Sequence, residues 1–133
     1  MIRPAQVVLP LLRAALPGAS VVSEVPDVDY RTFPLVLVRR AGGPRLAKAP
    51  RLMSLPEIEL SVYSDEGLVE CEQLYEDALE ALYAAQHAQT VVPDVGYLHS
   101  IREAQGATDA ESPFADSWAV AGTIRLGVRA PRP

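Results

Sequence analysis

The sequence predicts an α+β fold, a mixed or antiparallel β-sheet with helices packed on it. Residues 65–87 repeat apolar side chains at helical spacing, and residues 56–64 and 117–131 alternate at strand spacing. The predicted strands also come in runs, which does not suit a parallel α/β sheet. The order reads α-β-β-β-α-β-β over residues 1–133, taken as one domain without internal repeats. At 133 residues, 49% apolar and 22% charged, the chain is long enough to bury a core and too apolar for disorder.

The opening "MIRPAQVVLPLLRAALPGAS" resembles a secretory leader, but Arg13 falls inside the apolar region and Pro10 interrupts it. Val7, Val8, Leu11, Leu12 and Leu16 fit one side of a short helix, with Pro4 at its start and Pro17-Gly18 at its end. No other stretch approaches the length of a membrane span. "ASVVSEV" (19–25) reads as a short strand, and "PDVDYRT" (26–32) as a turn-rich connector. In "FPLVLVRRA" (33–41), apolar residues fall on both faces, so this strand is expected inside the sheet and covered on each side.

"GGPRLAKAPRLMSLP" (42–56) exceeds an ordinary hairpin connection. Arg45, Lys48 and Arg51 recur every third residue between prolines, which favours an extended, solvated segment. "PEIELSVYS" (56–64) then turns Ile58, Leu60 and Val62 inward and Glu57, Glu59 and Ser61 outward. Ser64 or Asp65 is the expected cap of the next helix, with Asp65 and Glu66 at its positive end. Leu68, Cys71, Tyr75, Leu79 and Leu82 form its apolar stripe, flanked by Leu74 and Ala78. "YLHSIREAQG" (97–106) reads as a fourth strand and "ATDAESPFAD" (107–116) as a turn-rich excursion. In the closing strand, Trp118, Val120, Ile124, Leu126 and Val128 point one way, and Ala119, Ala121, Thr123, Arg125 and Arg129 the other.

Little here suggests catalysis. The single cysteine, Cys71, excludes an internal disulfide framework and a cysteine-rich zinc site, and its place on the helix stripe reads as a small buried side chain. His87 and His99 lack partners at metal-ligand spacing, and "RAGGPR" matches neither phosphate-binding glycine pattern. Glu57 and Glu59, followed by Asp65, Glu66 and Glu70, are the one set that would suit a divalent cation or an acid/base pair. The same residues suit an exposed strand face and a helix start. No catalytic, cofactor-binding or metal-binding residue is assigned. Three loop cations without aromatic neighbours do not make a sequence-specific nucleic-acid site.

Charge is unevenly spread. The net charge is −5, yet residues 1–51 carry eight Arg/Lys against three Asp/Glu, and residues 52–101 carry ten acids and no Arg or Lys. An acidic, solvated helix face accounts for part of this. A head-to-tail contact between copies needs the same thing, one basic and one acidic patch on one subunit.

The succession of signals has a family likeness. A short helix precedes "FPLVLVRRAGG", a loop follows, then "PEIELSVYSDEGLVECEQLYEDALEALYAAQ", and a late turn "SPFADSWAVAGTIRLGVR" closes the chain. This arrangement resembles the tail terminator proteins of long-tailed bacteriophages, the minor tail protein U-like or head–tail connector proteins, over residues 3–129 and most specifically over 57–82. Eleven Arg against one Lys suits a high-GC genome, such as those of phages infecting actinobacteria.

The resemblance implies a structural protein of the virion, without enzymatic step or cofactor. It implies a homo-hexameric ring at the head–tail junction that caps the completed tail tube, stops its polymerisation and joins the head. Its partners would be itself, the tail tube protein and a head-completion or connector protein. DNA would pass the lumen without sequence-specific binding, no membrane would be involved, and the protein would be made in the host cytoplasm. The interface candidates are Arg45, Lys48 and Arg51 in the loop, Glu70, Glu76 and Asp77 on the acidic helix, and Arg125 and Arg129 on the last strand. Simple solvation is the plainer reading of Arg125 and Arg129. The loop is expected to be free in the monomer and ordered on docking. Two rivals stand beside this reading: a head-completion or neck ring of the same virion, and a small α+β ligand-binding or hydrolytic domain with a pocket of Glu57, Glu59 and His99.

Overall fold

A computed structural model describes residues 2–131; Met1, Arg132 and Pro133, the extremes of the expected domain span, lie outside the described residues. Two helices and six strands follow in the order α1 (Pro4–Ala15), β1 (Ser20–Val22), β2 (Leu35–Gly42), β3 (Met53–Ser54), β4 (Glu57–Ser64), α2 (Leu68–Ala88), β5 (Tyr97–Ala110) and β6 (Trp118–Arg129). A 3-10 turn over Val28–Tyr30 sits in the connector before β2. The fold is α+β, and the expected order of elements matches but for the two-residue β3.

The sheet is mixed. β1 pairs parallel with β2, and β2–β4, β4–β6 and β5–β6 are antiparallel. β4 covers residues 118–125 of β6 and β3 takes over at Val128 and Arg129, so the two share one edge of β6 while β5 occupies the other. Both helices lie on the same face. Val7, Val8 and Leu12 of α1 and Cys71, Tyr75, Ala78, Leu79 and Leu82 of α2 join one buried cluster with the inward residues of β2, β4 and β6. Period-3.6 and period-2 apolar patterns meet here, as the alternation of these strands dictates. Cys71 is buried, its thiol directed at the Val62 carbonyl 3.1 Å away. Tyr75 is also fully buried, and its ring fits because position 122 is glycine: a Cβ there would collide with the Tyr75 hydroxyl.

The opposite face has no helix, yet Leu35 and Leu37 are buried on it as expected. Two connectors close that end. Phe114, from the turn before β6, packs edge-on against Phe33 and Tyr63 at 5.9 and 5.0 Å between centroids, and the Arg31 guanidinium lies 4.2 Å above its ring.

Four sequence expectations need correction. The 42–56 loop is not an extended free segment. Gly42 and Gly43 hold positive φ, and a Cβ on Gly43 would strike the returning backbone at Leu55 and Pro56. Leu46 N–H donates to the Met53 carbonyl and Leu55 N–H to that of Pro44, so the loop doubles back on itself. Met53–Ser54 then occupies the stretch of β6 edge that β4 leaves unpaired, satisfying backbone groups that burial would otherwise strand. Helix α2 starts at Leu68 with Gly67 as N-cap, not at Ser64 or Asp65; the Ser64 hydroxyl instead accepts the Glu66 N–H, at 3.1 Å, in the turn before the helix. Strand β5 continues to Ala110, because backbone pairing with β6 carries the chain past the point where side-chain alternation fades. Trp118, the first residue of β6, is 44% exposed, although its carbonyl lies 3.5 Å from the Cys71 thiol of α2.

Candidate functional site

The strand directions sort the charges. β2 and β6 both run towards the end of the sheet at which β4 begins. Arg39 and Arg40 close β2 at that end, the folded loop adds Arg45, Lys48 and Arg51, and the start of α1 brings Arg3. At the opposite end β4 runs into Asp65 and Glu66, α2 begins with Glu70 and Glu72, and the tip of the β5–β6 arm brings Asp109, Glu111 and Asp116. Of the cations there, Arg31 is engaged with Phe114 and the Pro26 carbonyl, and Arg13 in the last turn of α1 donates to the Val21 carbonyl. Cations thus gather at one end of the sheet, where Glu24, Glu57, Glu59 and Asp94 accompany them, and carboxylates predominate at the other.

Each charged end holds a groove. At the basic end a cleft of about 490 Å³ lies between the start of α1 and the loop, lined by Ile2, Gln6, Arg45, Arg51, Leu52 and Asp94. A second basic cleft, of about 360 Å³, opens on the other side of the α1 start, where Arg3, Arg39 and Arg40 converge with Glu24. At the acidic end a groove of about 380 Å³ runs between α2 and the β5 arm. Val69, Glu72 and Glu76 form one wall, Ala107 and Asp109 the other, and Val120 the floor. Val120 and Val128 mark the acidic groove and the first basic cleft on one strand and one face, eight residues or roughly 26 Å apart.

The electrostatics at the acidic end reach the core. Burial pushes the Tyr75 hydroxyl up to about 12, with Glu103 and Glu76 adding to it. Desolvation raises Tyr83 too, again reinforced by Glu103, then by Glu80. Burial likewise raises the Cys71 thiol, which keeps it protonated and unreactive.

The eight candidate residues divide. Arg45 and Arg51 share the loop cleft, while Lys48 stands exposed in the turn between them. Glu76 lines the acidic groove; Asp77 does not line it but accepts a bond of 2.9 Å from Gln73, which does. Glu70 lies beside Gly67 at its own helix start. Arg125 is paired within its own chain. It lies on the face away from both helices, where its guanidinium donates to Glu57 across the β4–β6 ladder at 2.6 Å. Arg129, half-buried, ends β6 between Tyr97 and Met53. Sequence reasoning missed Arg3, Arg39 and Arg40 as a group, and missed Val69, Glu72 and Asp109 as one groove. The excess of cations in residues 1–51 was the available signal for the first three.

The residues of the rival enzyme reading do not converge. Glu57 is held by Arg125, Glu59 accepts from the Ser61 hydroxyl, and His99 offers its carbonyl to Gln86. Among the described residues, no three His, Cys, Asp or Glu side chains are grouped to hold a metal ion, and no helix is long and apolar enough to cross a membrane.

Comparison with known proteins accords with this picture. The chain is 53% identical over 134 residues to the Gene 22 protein of Mycobacterium phage D29, covering 99% of this chain and 96% of that protein. It is 50% identical over 128 residues to the Gene 22 protein of Mycobacterium phage L5, covering 95% and 91%. In fold it is similar to a chain from the virion of a native gene transfer agent particle, with TM-score 0.58, 19% identity, and coverage of 96% and 95%. The description of the phage tail termination protein family matches residues 1–133. The chain belongs to the phage tail termination protein family and is a structural tail protein of a bacteriophage virion.

Proposed function

We propose that this protein forms a ring, residues 1–133 of each copy acting as one domain, on the head-proximal end of the completed tail tube. The ring stops further polymerisation, offers the surface on which the filled head docks, and lets DNA pass its lumen without reading its sequence. Its partners are other copies of itself, the tail tube protein and a head-completion protein, and no catalytic step is involved. The observation that supports the ring best is the placement of opposite charges at opposite ends of one sheet. A closed ring is built from one heterologous contact repeated, so each copy must carry two different, complementary surfaces. Exposed charges on those surfaces steer copies together and reject the wrong register.

The folded loop changes one part of the expectation. Its backbone is already ordered in the single chain, so Arg45, Lys48 and Arg51 are presented on a preformed surface rather than on a segment that folds on docking. A preformed surface loses less conformational entropy on binding. The test is complementation of a phage lacking this gene. Without the protein, electron microscopy should find tails extended beyond normal length and not joined to heads. Changing Arg45, Lys48 and Arg51 together to alanine should reproduce that defect in part. Tails of normal length joined to heads in the complete absence of the protein would refute the reading.

A further inference from the structure

The two grooves on the helix-bearing face match each other in kind as well as in charge. The acidic one carries an exposed apolar residue, Val69 at 74% exposure, beside Glu72, Glu76 and Asp109. The basic one carries Leu52, 58% exposed, beside Arg45 and Arg51. Exposed branched side chains set among like charges lose little by staying in water singly, and gain when one covers the other. Among the described residues the only ion pair is Arg125 with Glu57, so none of these five charged side chains is in an ion pair within its own chain, although Asp94 shares the basic cleft. The two-residue β3 holds Met53 and Ser54 against the end of β6, Leu52 N–H donates to the Ala49 carbonyl in the turn just before it, and α2 fixes Glu72 and Glu76 on a 21-residue helix. Both partners of the contact are therefore held rigid before they meet.

We infer that the groove between α2 and the β5 arm receives the loop end of a second copy of this chain. Arg45 and Arg51 enter opposite Glu72, Glu76 and Asp109, and Leu52 covers Val69. This rests on the ring reading and specifies its repeating contact. Each copy keeps a free acidic groove at one end and a free loop at the other, so the contact propagates head to tail and closes if its rotation permits.

The test uses two variants of the full chain. One carries Glu72→Arg and Glu76→Arg, and the other Arg45→Glu and Arg51→Glu. All four positions are exposed, so both variants are expected to keep the wild-type circular dichroism melt. Self-association is followed by native mass spectrometry and sedimentation at low salt. Each variant alone should associate at least tenfold more weakly than wild type, because both its surfaces then bear one sign. Mixed in equal amounts, they should recover wild-type association, since each altered surface now faces a complementary one. Wild-type association by either variant alone, or failure of the mixture to recover, would overturn the assignment. So would a wild-type chain that stays monomeric up to millimolar concentration. A second readout is the double variant Leu52→Cys with Val69→Cys, which should give a ladder of disulfide-linked oligomers on oxidation while neither single variant does. Failure of these tests together with intact capping of tails would remove the groove contact and leave the ring itself standing.

Discussion

The two faces of the sheet are held together by different physics. On the helical face, α1 and α2 seal an apolar cluster from which water is excluded, and side chains such as Leu12, Leu82, Ile58 and Ile124 are wholly buried. On the other face, cover is local: an aromatic staple at one end, buried Leu35, Leu37 and Ser61 on β2 and β4, and an exposed Arg125–Glu57 pair at the other end. The difference teaches where stability is kept and where surface is released. A sheet with one face sealed can leave its opposite face and both its ends polar and rigid, and those are the parts a neighbour can use.

Changes of decreasing severity can break this division. The greatest loss is expected for Leu82→Ala or Leu12→Ala, which empty space in the sealed face and should cost about 2–5 kcal/mol in denaturant unfolding. Phe114→Ala removes two edge-to-face contacts and the ring beneath Arg31, and should cost about 1–3 kcal/mol by the same measurement. Were it to match the core variants, the open face would be part of the core and the division would fail.

Tyr75 adds a pH dependence that belongs to the sealed face alone. Its hydroxyl ionises at about 12 in the fold against an ordinary 10, so the folded chain holds that proton more tightly. The resulting stability is complete below pH 10 and is lost as the pH rises towards 12. Thermal melts across that range should fall progressively, and Tyr75→Phe should flatten the decline. The Tyr75 hydroxyl has no hydrogen-bond partner, so the variant should be at least as stable as wild type at neutral pH. The smallest effect belongs to Arg125→Ala. Its pair with Glu57 is solvent-exposed on the arginine side, and removal should cost less than about 1 kcal/mol, vanishing in high salt.

Much of the sealed face was legible in the sequence, because burial on one side imposes a period. The stripe Cys71-Tyr75-Leu79-Leu82 and the alternation Ile58-Leu60-Val62 needed no knowledge of what they pack against. The loop was not legible for the converse reason. Met53–Ser54 is too short to show a period, and its pairing depends on an edge of β6 lying some 75 residues on in the chain. The Arg125–Glu57 pair was illegible for the same reason, since the two are remote in sequence and adjacent only through the β4–β6 register. Trp118 obeyed the alternation, yet at the first residue of its strand it stays 44% exposed. The two charged ends were half legible. Segment totals revealed the signs, while only strand direction could gather Arg3, Arg39 and Arg40 at one end and put Asp109 beside Glu72 at the other.

The β5 arm has a bearing on how copies of such a protein stay apart when crowded. Its outer edge meets no other strand among the described residues, and residues 102–110 are all exposed. A straight strand of that length would template uncontrolled stacking into fibres. Here the ladder slips between Leu98 and Ser100, between Glu103 and Gln105, and again before Thr108, and Arg102, Glu103 and Asp109 project along it. Each slip turns the outward amides out of step, so an incoming strand finds no long run to copy. The irregular arm therefore guards the sheet against extension through its backbone and leaves side chains, not amides, as what this edge presents.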